Sequence, residues 1–249
     1  MKLQVVSDLH IEYNNLDQDP LSFIDPSADI LVIAGDLGSL YKYTQLKDFI
    51  EKTCMYFKNV FYIPGNWEYY TMLGYKPVSI NNLMFKLHTL SKSIKNLQIL
   101  DHSSVLLGNI CIAGCTLWSD LKIELPKYII KVYKIDSETY RNMYEKSVKY
   151  IENIIKYCKE KEYKLILVTH HCPTYDVLVT STRLKKFHSL YASNLDHLLK
   201  KELVDTWICG HTHNNFDFIT KGGTRVVSNQ KGKDKDNVKD YKKDFTIEC

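Results

Sequence analysis

Ile30-Leu31-Val32-Ile33-Ala34-Gly35-Asp36 is a run of five apolar residues, three of them β-branched, that stops at a glycine and a carboxylate. Such a run has the length of a strand, and β-branched side chains suit a pleated surface. The same punctuation recurs on both sides of it. Val5-Val6-Ser7 leads into Asp8 and His10, and Phe61-Tyr62-Ile63 into Pro64-Gly65-Asn66. Further on, Leu165-Ile166-Leu167-Val168-Thr169 leads into His170-His171, and Trp207-Ile208-Cys209 into Gly210-His211-Thr212-His213. Five separate strands thus end in a carboxylate, an amide or an imidazole. In open α/β sheets the carboxyl edge is where ligands bind.

Other strand-like runs lie at 104–107, 110–115, 216–219 and 224–228, and helical patterns at roughly 42–58, 80–95, 137–162 and 194–202. The clearest helix is 137–162. Ser137 is its expected N-cap, and Tyr140, Met143, Tyr144, Ser147, Val148, Ile151, Ile154 and Ile155 follow a helical period. Strands alternating with helices early, then mostly strands late, predict an α/β fold of mixed sheets packed between helical layers. No repeat, linker or composition shift divides the chain, so residues 1–249 are expected to form one domain.

Apolar residues make up 45% and charged residues 25%, an ordinary globular composition. The longest apolar runs fall far short of the ~20 residues a membrane helix needs. Met1 and Lys2 lead straight into a strand, leaving no room for a signal peptide. Seven scattered cysteines without a C-x-x-C pair read as reduced, mostly buried thiols, and the expected setting is the cytoplasm. Cys111 and Cys115 could share a strand face, but a structural zinc wants four closely spaced ligands. The net charge of +4 is mild. The run Lys231-Gly232-Lys233-Asp234-Lys235-Asp236 alternates bases with acids, which predicts a flexible surface loop rather than a nucleic-acid footprint.

The residue types at the strand ends point to a pair of metal ions. Two divalent cations ~3.5–4 Å apart repel unless an anion lies between them, and Asp36 is suited to bridge. Asp8 adds a second carboxylate, and neutral imidazoles with the Asn66 amide complete the shells without excess charge. Four histidines with two aspartates and one asparagine suit Mn, Fe, Zn, Co or Ni better than Mg or Ca and do not choose among those five; manganese is the ion expected. Such a site suits hydrolysis: a water shared by both ions loses a proton near neutral pH and attacks phosphorus in line. No Gly-x-Ser-x-Gly elbow, P-loop or dinucleotide fingerprint competes with this reading.

Asp8-Leu9-His10, Gly35-Asp36, Gly65-Asn66-Trp67-Glu68, Thr169-His170-His171 and Gly210-His211-Thr212-His213, in that order, resemble the calcineurin-like metallophosphoesterase superfamily. The segments Gly114–Trp118 and Gly223–Asn229 also resemble its small members. The resemblance implies a four-layer α/β/β/α sandwich with a dinuclear site at the sheet edges. One metal would take Asp8, His10, Asp36 and His213, and the other Asp36, Asn66, His170 and His211. Asn66 would also face the substrate. Members of the family commonly carry a histidine where this chain has Trp67, and that histidine serves the leaving oxygen. Indole can donate a hydrogen bond but cannot shuttle a proton, so alkyl esters should turn over slowly and aryl esters better. His171 is the candidate substitute acid, and Glu68 is expected to orient Asn66 or a neighbouring histidine.

The irregular stretch 173–193 carries Arg183, Lys185, Lys186 and His188, of which Arg183 and His188 are candidate phosphate contacts. The expected substrate is a small or nucleotide-like phosphoester, hydrolysed as a diester or a monoester. Two alternatives remain. One is a nuclease, against which the mild charge and the lack of an aromatic-plus-basic groove stand. The other is a weakly active metal-binding scaffold, for which Trp67 leaves room. Nothing in the sequence points to a membrane or to a protein partner.

Overall fold

The computed structural model describes residues 1–13, 19–178 and 185–249. A five-stranded sheet is built from β1 (Lys2–Val6), β2 (Ile30–Ala34), β3 (Asn59–Ile63), β4 (Leu97–Ile99) and β11 (Thr246–Glu248), in the order β11-β1-β2-β3-β4. A six-stranded sheet contains β5 (Ser103–Leu107), β6 (Ile110–Cys115), β7 (Lys164–Thr169), β8 (Thr206–Ile208), β9 (Phe216–Ile219) and β10 (Arg225–Ser228), in the order β5-β6-β7-β8-β10-β9. Both sheets are mixed. The pairs β1–β2–β3–β4 and β6–β7–β8–β10 run parallel, while β11, β5 and β9 are antiparallel edges.

Strand periodicity explains how the layers stack, because alternate side chains point to opposite faces. Along β2, Ile30, Val32 and Ala34 enter the core between the sheets, while Leu31 and Ile33 face outward. The outward set meets Leu46, Phe49 and Ile50 of α1 (Tyr43–Cys54) and Leu83, Leu87 and Leu90 of α2 (Ile80–Ser93). In β7, Ile166 and Val168 face the inter-sheet core, while Leu165 and Leu167 meet Ile151, Ile154 and Ile155 of α3 (Ser137–Glu160). Helices, sheet, sheet and helix therefore bury three apolar layers, the four-layer sandwich expected from the family resemblance. Among the described residues no helix is long and apolar enough to cross a membrane.

Several local expectations change. The N-cap of α3 is Asp136, whose Oδ1 accepts from the Thr139 N–H at 2.8 Å; Ser137 is instead the first helical residue, accepting from the Leu125 N–H at 2.9 Å. The helix begun at 42–58 stops at Cys54, where Asn96 Nδ2 donates to the Cys54 and Phe57 carbonyls. The pattern at 194–202 yields only a 3-10 turn, Asp196–Leu198. There Thr220 Oγ1 takes the Leu199 carbonyl at 3.0 Å, and Lys200 bridges to Gly222, so tertiary pairing overrides the leucine period. The three-residue edges β4 and β11 had no periodic signal. All seven cysteines are free thiols, six of them buried, and Cys111 and Cys115 share an apolar cluster facing α3.

Candidate metal centre

The parallel strands β1, β2, β3, β7 and β8 end at one rim, and the polar residues that follow them converge there. The chain must turn sharply to aim these side chains back across the sheet edge. Asp8 (φ 53°), His10 (48°), Asp36 (51°), His211 (67°) and His213 (50°) all sit in the left-handed region that non-glycine residues rarely occupy. Such conformations cost on the order of 1–3 kcal/mol each and persist only where the surroundings impose them. Backbone bonds do so: Asp8 N–H donates to the Gly35 carbonyl and His10 N–H to that of Asp36, both at 3.0 Å, and Gly210 N–H to that of His170 at 2.9 Å. At Gly65 a Cβ would collide with the Asp36 side chain and lie 2.6 Å from its backbone nitrogen, so only glycine fits against that carboxylate.

Two groups of potential ligand atoms result, Asp8/His10/His213 and Asp36/His170/His211, each with its atoms within 4.8 Å of one another. Asn66 Oδ1 joins the second group, 2.9 Å from His170 Nε2. Asp36 spans both: Oδ1 lies 3.3 Å from His170 Nε2 and Oδ2 lies 3.7 Å from His10 Nε2. Asp36 Oδ2 is buried and makes no hydrogen bond.

The imidazoles are oriented from behind. His10 Nδ1 donates to Glu12 Oε1 (3.1 Å), His170 Nδ1 to the Ala34 carbonyl (2.9 Å), His211 Nε2 to the Leu190 carbonyl (3.1 Å), and His213 Nδ1 to Asp236 Oδ2 (2.8 Å). In each ring the N–H is therefore spent on protein oxygen, and the other nitrogen turns its lone pair inward. These lone pairs face one another, His10 Nε2 and His213 Nε2 at 3.3 Å, His211 Nδ1 and His170 Nε2 at 3.2 Å. Donors bound ~2.0–2.2 Å from a shared cation would have about this spacing. Two facing lone pairs need a proton or a cation between them, and the orphaned Asp36 oxygen needs the same. The residues present fit two divalent ions.

Charges follow this crowding. Burial pushes His170 down, but the Asp36 carboxylate and its hydrogen bond outweigh it, raising the ring to about 9 in the metal-free chain. Burial and the neighbouring His170 push His211 down to about 3. Burial raises Asp8 and Asp36, yet the adjacent histidines hold both below the usual carboxylate range.

Glu68, expected to orient Asn66 or a neighbouring histidine, makes its hydrogen bonds to neither. It is buried beneath the site, accepting from the N–H groups of Gly65 (2.8 Å), Asp36 (3.2 Å) and Leu37 (2.8 Å) and from the Tyr62 hydroxyl (2.6 Å). Burial and Asp36 push its carboxyl up to about 8. A protonated carboxyl would aim its O–H at one of four donors, so the ionised form, with cations balancing Asp36, is the one this cage fits. Glu68 thereby clamps the turns that carry Asp36 and Asn66.

His171 is buried, its ring 4.0 Å from that of His211 and stacked on Trp118 at 5.8 Å. Burial, His211 and His170 hold it neutral, well below the ordinary histidine value. That position suits a support for His211 rather than the proton donor expected from the sequence. Trp67 lies in the opening, its ring edge-on to His10 at 5.4 Å, while its backbone N–H donates to Asp36 Oδ1 at 2.8 Å. A cleft of ≈ 510 Å³ opens over the two groups. Trp67, Tyr70, Ile129, Ile130, Leu178, Leu190 and Tyr191 give it an apolar lining, to which His188 adds an imidazole. His188 Nε2 is buried without a partner. Arg183 lies outside the described residues.

Residues 1–215 match the sequence profile of the family described as calcineurin-like phosphoesterase. The chain belongs to the calcineurin-like phosphoesterase family. It is thus a metallophosphoesterase, a hydrolase of phosphoric esters, in a family whose sites hold two divalent metals. A relative, uncharacterized protein L509 of Acanthamoeba polyphaga mimivirus, is 27% identical over 263 residues, covering 92% of this chain and 90% of that protein. Among solved structures, the phosphopantetheinyl hydrolase PptH of Mycobacterium tuberculosis matches with a TM-score of 0.72 at 14% identity, covering 94% of this metallophosphoesterase and 90% of PptH. A dimetal phosphatase from Danio rerio matches with a TM-score of 0.55 at 12% identity, over 92% and 86% of the two chains. At these identities the likeness is one of fold.

Three residues at the metallophosphoesterase site escaped sequence reading. Glu12 follows His10 by two positions, a spacing that becomes informative only once the ring's far nitrogen is seen to need a partner. Lys233 and Asp236 belong to the mixed-charge run expected to be a flexible loop. Instead it folds into a 3-10 turn, Asp234–Asp236, against the centre.

Proposed function

We propose that this metallophosphoesterase hydrolyses a small phosphoester with a planar or apolar leaving group, using two divalent transition ions, with manganese favoured. The reading rests on one observation: Asp36 joins two inward-facing ligand groups at the floor of an aromatic-walled cleft. Asp8, His10, Asp36 and His213 are assigned to one ion, and Asp36, Asn66, His170 and His211 to the other. Bound there, the cations supply Lewis acidity and an activated water. Glu12, Asp236 and two backbone carbonyls keep the imidazoles in the metal-binding tautomer. The aromatic and aliphatic side chains lining the cleft, Tyr70 and Tyr191 among them, offer apolar surface to a base or aryl group, and His188, with its free nitrogen, is assigned to the substrate. Residues 1–249 act as one unit, in the cytoplasm.

A panel of aryl and alkyl phosphomonoesters, cyclic nucleotides, diesters, phosphopantetheine-bearing esters and single-stranded DNA, assayed with Mn, Ni, Co, Zn or Mg added singly, tests this. Preference for a small aryl or nucleotide ester with a transition metal is expected. Selective cleavage of DNA, or activity with Mg alone, would refute the assignment.

A further inference from the structure

Lys233 and Lys235 are cations of the cleft that the metal chemistry leaves unexplained, and Lys233 is the one held against the aromatic rings. Its Nζ lies 3.4 Å from the centroid of the Trp67 ring and 5.4 Å from that of Tyr13, so the ammonium rests on one indole face with a phenol close by. The acids of its own turn are engaged elsewhere: Asp234 pairs with Lys231 at 3.3 Å and Asp236 with His213 at 2.8 Å. Among the described residues Nζ thus has no carboxylate partner. It nevertheless lines the same cleft as Asp36, Asn66, His211 and His213. Asp36, Asp236 and Glu12 act on this partly buried ammonium through space, but none lies within ion-pair distance, so its N–H donors are open to an anion entering the cleft.

Its position is held by the fold. Gly232 N–H donates to the Asp8 carbonyl at 2.9 Å, which ties the segment to the end of β1. Gly232 has φ 68°, and a Cβ there would collide with Val238 and sit 3.4 Å from His213 Nδ1, so the approach requires glycine. Lys233 N–H donates to Asp236 Oδ2 at 3.0 Å, the same oxygen that accepts from His213. The backbone of Lys233 and the imidazole of His213 are therefore held by one carboxylate oxygen.

We infer that Lys233 is a specificity-determining residue whose ammonium, cradled on Trp67, binds an anionic oxygen of the phosphoryl group. Trp67 then contributes a platform that keeps a cation over the cleft. Only the nature of the anion is taken from the phosphoesterase reading.

The test is calorimetric titration of inorganic phosphate into the manganese-loaded full chain at fixed ionic strength, with manganese content measured in parallel. Lys233→Ala should weaken phosphate binding by about 10- to 100-fold, the range of a charge-assisted hydrogen bond, and leave metal content unchanged. Lys233→Arg should stay within about 5-fold of the wild type. Lys58→Ala, which removes a lysine just before the N-terminal end of β3, away from the rim where the strands deliver the ligands, controls for net charge and should change nothing beyond about 2-fold. Trp67→Leu should weaken binding in the wild type but add little in the Lys233→Ala background, because the ring acts through the ammonium. Phosphate affinity within 2-fold of wild type in Lys233→Ala, an equal loss in Lys58→Ala, or loss of manganese would overturn the inference, as would a wild-type protein that binds no phosphate. A wild type that binds phosphate through Lys233 yet hydrolyses no ester would sink the substrate proposal and leave Lys233 standing.

Discussion

At the residue scale, Asp36 carries the most. One oxygen serves the His170 side, and the other, buried without a hydrogen bond, faces the His10 side. Asp36→Asn keeps the shape but removes the negative charge that two cations must share. Bound metal, measured by elemental analysis, should fall from two ions per chain to one or fewer, and kcat/KM by at least about 10²–10³-fold. A variant that keeps two ions would remove Asp36 from its bridging role.

At the scale of elements, the turn at Asp234–Asp236 decides how well His213 is presented. Asp236 receives the Nδ1 proton of His213, which fixes the tautomer and strengthens the inward nitrogen as a donor. Asp236→Asn should cost about 10–100-fold in affinity for the ion held by His213, seen in a competition titration with a chelator, while circular dichroism stays unchanged. Glu12→Gln should act similarly through His10. The two should couple rather than add, since both rings serve one ion and their inward nitrogens lie 3.3 Å apart. An Asp236→Asn protein with wild-type affinity would show the turn to be mere packing.

For the whole molecule, the centre couples metal, protons and stability. In the metal-free chain His170 is raised to about 9 by Asp36, above its ordinary 6.5. A group whose folded pKa lies above its unfolded one stabilises the fold fully below the unfolded value, and that contribution is lost as pH rises through the folded one. The chelated protein should therefore lose stability between about pH 6.5 and 9, by roughly 3 kcal/mol if His170 acts alone. Asp36 is the other half of this pair, so its own depression is not a second contribution. With metal bound the proton is displaced, and the same melting series should be nearly flat over that interval. A chelated protein with pH-independent melting from 6.5 to 9 would contradict the His170–Asp36 assignment.

The sequence by itself determined the strands that build the core and the polar residue that ends each of them, because both are local properties. Along β2, β3 and β7 nearly every residue is apolar, which marks a strand buried on both faces; which set meets the other sheet and which the helices is decided by packing. The seven candidate ligands were legible because each lies in the short turn that follows a strand, from His170 next to the end of β7 to His213 in the turn after β8. Only the tertiary structure decided the rest. Strands β4 and β11 exist because β3 and β1 offer them hydrogen bonds, not because three residues carry a pattern. Glu12, Lys233 and Asp236 become parts of the site, and His171 a support beneath it, only when the chain folds over the sheet edge. Those roles arise from contacts between residues as far apart as His213 and Asp236, or Trp67 and Lys233. No local periodicity encodes contacts at that range, and the left-handed turns that aim the ligands follow from the same closure.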